Sequence, residues 1–134
     1  MISVSDVQAA FVTALKADIS IVTTIMLADE IRENQWQGKD FVYPNIRIDM
    51  LPERPATMSN CEGNYVDVLF RVFSEQTSSK EANDIAVQIA NKFHNKSITM
   101  SGRSFLLVCT SLVPANRIDK NTWEAQARFT GTVI

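Results

Sequence analysis

The spacing of apolar residues changes from helical to alternating and back along this chain. Val4, Val7, Phe11 and Ala14 or Leu15 recur at helical spacing, with Ser3 or Ser5 placed to cap free N–H groups. A first helix is predicted from there to about Asp18. In "ISIVTTIMLADEIRE" the β-branched residues favour a strand, whereas Ile21, Val22, Ile25 and Met26 also fit a short helix, which is the reading adopted. "ENQWQGKDFVYPN" reads as a loop ending at Pro44. The next piece, "NIRIDM", alternates: Ile46, Ile48 and Met50 against Asn45, Arg47 and Asp49, a strand with one dry face. "LPERPATMSNCEGN", with two prolines and a glycine, is predicted to be the longest loop.

In "YVDVLFRVF", Val66, Val68, Phe70 and Val72 line one face and Tyr65, Asp67, Leu69, Arg71 and Phe73 the other. Leaving Leu69 and Phe73 wholly in water is costly, so part of that second face is expected to be covered. Ser78 and Glu81 then have capping-box spacing, and Ala82, Ile85, Ala86, Ile89 and Phe93 form an apolar stripe on a second helix. "SITMSGRSFLLVCTSLV" predicts a hairpin turning at Ser101 and Gly102. Its second arm, Phe105 to Val113, is apolar on both faces, which suggests a central strand. "TWEAQARFTGTVI" alternates to the end, with Trp123, Ala125, Ala127, Phe129, Gly131 and Val133 on one side. Strands in direct succession with two principal helices give one α+β domain over residues 1–134. Its sheet is antiparallel or mixed, with both main helices packed on one face.

At 134 residues the chain is long enough for one self-sufficient core. With 46% hydrophobic and 21% charged residues it has the composition of a folded domain. A formal charge of −2 with scattered basic residues argues against direct, sequence-specific nucleic-acid binding. Cys61 and Cys109 fit no metal or redox spacing, consistent with a reducing compartment. No basic leader or run of 18 apolar residues occurs, so neither export nor a membrane span is expected.

Candidate chemistry is sparse. His94 is the only histidine and stands at the end of the second helix, where a capping role suits it; no Ser or Cys constellation offers it a triad. Asp29 with Glu30, Asp49 with Glu53, and Glu62 with Asp67 lack motif spacing, and the isolated glycines form no phosphate loop. Trp36 and Trp123 have no basic groove beside them and read as buried or interface residues. Arg47, Arg71 and Arg128 alternate with apolar residues on their strands and read as solvent-facing or salt-bridged. The chain is expected not to be an enzyme, with no catalytic residue, metal or cofactor. A self-assembling subunit is expected instead, because two helices are too few to cover both sheet faces.

Several segments in order resemble the tail terminator, or tail completion, proteins of long-tailed bacteriophages. These are the helix ending "ALKAD", the loop and strand "FVYPNIRI", the strand–turn–helix "VLFRVFSEQTSSKEANDIAVQIA" and the closing strand from Trp123 to Val133. Residues Pro52 to Asn64 have no counterpart in that pattern. The resemblance implies a virion protein of the tail neck, assembled in the bacterial host cytoplasm. It implies a homo-oligomeric ring, commonly a hexamer, on the head-proximal end of the tail tube. Its partners would be the tail tube protein and the head connector proteins. Such a ring stops tube growth and offers a head-joining surface. Leu69, Arg71 and Phe73 are the candidate interface residues. Alternatives are another neck protein (a head-completion or connector-adaptor ring) or a small ligand-binding α+β domain.

Overall fold

The computed structural model describes residues 2–18, 20–21, 31–33, 43–52, 54–58 and 61–134. Among the described residues, the helices α1 (Val4–Lys16) and α2 (Lys80–Phe93) accompany the strands β1 (Ile31–Glu33), β2 (Asn45–Met50), β3 (Arg54–Met58), β4 (Cys61–Ser74), β5 (Lys96–Met100), β6 (Arg103–Arg117) and β7 (Trp123–Val133). The strands form one mixed sheet of order β1-β2-β4-β7-β6-β5, with β3 also paired to β4. Among the described strands β1 and β2 pair in parallel and the remaining pairs are antiparallel. The fold is α+β.

Alternation on β4 and β7 builds the core. Val66, Val68, Phe70 and Val72 are buried, as are Ala125, Ala127, Phe129 and Val133 from the neighbouring strand. Phe11 of α1 meets the rings of Phe70, Phe93 and Phe105 edge-on at 5.5–5.6 Å, and Phe93 of α2 stacks on Phe70 at 5.7 Å. Such ring pairs add about 0.5–1.5 kcal/mol each beyond the area they bury. At Gly131 a β-carbon would be driven into the backbone carbonyl of Leu106, so this position tolerates no side chain while β6 and β7 lie this close. The accessible surface is 7446 Å², against about 7,000 Å² from the scaling law for a monomer of this mass. One copy therefore closes its own core.

Several sequence expectations change. Ile31–Glu33 pairs with β2 as an edge strand rather than extending a helix or loop, because its backbone groups find the Ile46–Ile48 ladder. Ser20 and Ile21 are helical, and the rest of that predicted helix, with Trp36, lies outside the described residues. The long loop is instead a hairpin: β3 and β4 pair from Met58↔Cys61 to Arg54↔Tyr65. An edge strand tolerates Pro55, which lacks a donor. The Ser78–Glu81 capping box does not form. Ser74 lies closer to Glu81, donating its hydroxyl to the carboxylate at 2.8 Å while accepting the Gln76 N–H at 3.2 Å. The predicted hairpin at Ser101 and Gly102 is present, both residues having positive φ as a two-residue primed turn requires.

β6 is not central. β5 covers its outer side only from Arg103 to Leu107, and beyond that no described strand lies against it. Its register with β7 slips twice, between Cys109 and Ser111 and between Val113 and Asn116. Side chains of α2 act at two places: His94 Nδ1 accepts the Cys109 N–H at 2.9 Å, and Asn83 Oδ1 accepts the Ala115 N–H at 2.8 Å.

Candidate interaction surface

The sheet face opposite the phenylalanine cluster can be read off the strand registers. Across β4, β7 and β6, its rows are Tyr65–Thr132–Leu106, Asp67–Thr130–Val108, Leu69–Arg128–Ser111 and Arg71–Gln126–Val113. Phe73 and Glu124 follow on the next row of β4 and β7. Leu69, Arg71 and Phe73, the residues singled out from sequence, share this face because they alternate with buried positions on β4. They are partly covered rather than fully exposed.

The charges here pair with one another. Arg71 Nε donates to Glu124 at 2.7 Å and lies 3.6 Å from Asp49, while its guanidinium sits over the Phe73 ring. The Glu124 hydrogen bond holds the Arg71 proton above its ordinary value despite partial burial. Burial raises the Asp49 carboxyl, and the nearby Arg71 does not fully offset it. Arg128 grips both carboxylate oxygens of Asp67, at 2.7 and 3.1 Å, and that hydrogen bonding raises the Arg128 proton affinity. Arg128 is nearly half exposed, so solvent screens this pair strongly. The third arginine, Arg47, is buried rather than solvent-facing: it is 3% exposed. It helps line a recess of about 180 Å³ with Tyr43, Asn45, Phe73, Ile118 and Thr122.

Sequence reasoning missed a group of exposed apolar residues on and beside β6. Leu106 is 49% and Val108 42% exposed on the open face. They pair in register with Thr132 and Thr130, which with Tyr65 line a trough of about 560 Å³. At the bulged end of β6, Leu112 (45%) and Val87 of α2 (43%) line a separate cleft of about 220 Å³ with Ala86 and Pro114. The available signal was charge: the 13 residues Ser104–Asn116 contain none.

The strand-to-helix turn before α2 is stitched to the start of β7, where Trp123 Nε1 donates to the Gln76 carbonyl at 3.1 Å and Arg117 covers the Trp123 ring. His94 is the exposed C-cap residue of α2. Among the described residues, no group of three or more His, Cys, Asp or Glu side chains could hold a metal ion. No described helix is long and apolar enough to cross a membrane.

No family model and no curated protein matches the chain. Among solved structures, it is similar to a chain from the virion of a native gene transfer agent particle. The TM-score is 0.68 at 17% identity, over 94% of this chain and 92% of that one. At that identity the likeness is one of fold, and it spans both chains nearly end to end.

Proposed function

We propose that the chain is a structural subunit of a phage-like virion. In this reading it forms a homo-oligomeric ring, a hexamer, at the head-proximal end of the tail tube. There it ends tube polymerisation and offers the surface on which head connector proteins dock. The observation that carries the virion role is the near end-to-end likeness to the gene transfer agent virion chain. The neck position rests on the sequence resemblance to tail terminators. The work is binding rather than catalysis, with no cofactor, and takes place in the virion after assembly in the host cytoplasm.

Leu69, Arg71 and Phe73 contribute a subunit contact. An internally paired polar lattice, two arginines against three carboxylates with apolar residues between them, suits contact with another protein better than with phosphate. Leu69→Asp is expected to lower the particle mass in light scattering toward the monomer with the circular dichroism spectrum preserved. Unchanged mass counts against a contact there. Electron microscopy of tails assembled without the protein tests the position. Overlong tubes support termination, whereas tails of normal length beside unjoined heads indicate an adaptor ring.

A further inference from the structure

The edge of β6 is fastened to the end of α2 by a side chain whose charge is not fixed. β5 covers β6 as far as Leu107, and the Asn95 N–H extends that ladder by one bond, to the Leu107 carbonyl at 2.7 Å. At the next outward group of β6, the Cys109 N–H, β5 has given way to the end of α2, and the His94 ring supplies the acceptor. Its Nδ1 takes that N–H at 2.9 Å. The first register slip of β6 follows directly.

A ring nitrogen accepts a hydrogen bond through its lone pair. The contact with Cys109 therefore requires Nδ1 to be unprotonated, whereas an imidazolium carries donors at both nitrogens. His94 meets two opposed demands. The C-terminal end of α2, where it is the cap residue, favours the cation, and the Cys109 N–H is served by the neutral ring. Solvent reaches the ring, since His94 is exposed.

The groups around it have partners of their own. On α2, Lys92 pairs with Asp18 at 3.1 Å, and on β5, Lys96 Nζ donates to the Asn91 carbonyl at 2.6 Å. β7 brings Arg128, on the opposite face of the sheet and bound to Asp67. β6 carries no charge between Ser104 and Asn116, and the Cys109 thiol points to the Ser111 carbonyl at 3.6 Å. The other fastening of this edge is of a different kind: Asn83 Oδ1 takes the Ala115 N–H at 2.8 Å, and a side-chain amide keeps its acceptor at any pH the fold survives.

We propose that His94 is a pH-sensitive latch on the edge of β6, closed on the Cys109 N–H while its ring is neutral and open once the ring is protonated. Histidine is the side chain whose charge ordinarily changes between about pH 5 and 8, a range in which Asn83 does not change. Acidification then frees β6 at Cys109 and the adjoining slip and leaves Ala115 fastened.

Amide hydrogen exchange followed by NMR tests this, with each rate divided by that of the unfolded chain at the same pH. Between about pH 7.5 and about pH 5.5, Cys109 is expected to lose about tenfold in protection, the weight of one hydrogen bond, while Ala115 keeps its own. His94→Asn, whose side chain does not titrate, is expected to show equal Cys109 protection at both values. His94→Gln provides a second such variant if the first loses its folded circular dichroism spectrum. A Cys109 amide unprotected at the higher pH, or equally protected at both, overturns the latch. So does a parallel fall at Ala115, or the same fall at Cys109 in the variant without a histidine.

Discussion

The two faces of the sheet are made from alternate residues of the same strands, yet they are held by different physics. On the inner face, Phe70 and Phe129 touch other rings at 5.5–6.0 Å and are fully buried, so shape decides what fits. On the outer face, charge pairing decides. Arg71 is matched by Glu124 and Asp49, and Arg128 by Asp67, with apolar residues between. The first face specifies the fold. The second leaves the chain stable while keeping a surface that another molecule can cover.

Changes on the inner face should therefore cost far more than changes on the outer one. The largest effect is expected from Phe70→Ala, which empties the space between Phe11, Phe93 and Phe129. A loss of about 3–5 kcal/mol is expected in urea melts, and a loss below about 1 kcal/mol would mean that the ring cluster is not the keystone of the core. Gly131→Ala should follow. Its methyl group meets the Leu106 backbone, and separating β6 from β7 to make room is expected to cost about 1–3 kcal/mol. A variant melting like wild type would mean that the strands separate without penalty.

On the outer face Asp49→Asn should do least, and its sign differs. Burial raises the folded Asp49 carboxyl above its ordinary value of 3.8, so the folded state holds that proton more tightly than the unfolded chain does. Stability from this group is present at low pH and falls as pH rises from 3.8 through the folded value. At neutral pH Asn removes that cost while Arg71 keeps Glu124. The variant is expected to melt within about 1 kcal/mol of wild type, on the more stable side, with the difference vanishing below pH 3.8. A clear destabilisation at pH 7 would show that the Asp49–Arg71 pair outweighs the desolvation.

Much of the architecture was legible because a strict period of two leaves little choice. The alternations of β4 and β7 and the stripe of α2 appear where the pattern put them. Three of the features that were not legible were hidden for a local reason. β3 hid behind prolines that an edge strand can carry. The capping box lost Glu81 to Ser74, a partner brought close by the fold of the turn itself. Apolarity on both faces of β6 was read as centrality, although the same pattern also describes an edge with uncovered apolar side chains. Of the candidate contact, the β4 trio was readable from alternation. The exposed apolar residues of β6 needed the positions of β5 and α2 to be known.

Asn83 of α2 and His94, the C-cap residue of that helix, stand 11 residues apart and reach Ala115 and Cys109, six apart on β6. That is about 16 Å along a helix against about 20 Å along a strand. The helix thus serves as a splint for the strand beside it, running the opposite way and fastened near both of its own ends. Because each helical residue also turns the axis by about 100°, deleting a single residue between the fastenings would swing one of them away from the strand. The spacing between these two side chains is thereby locked into the length of the protein.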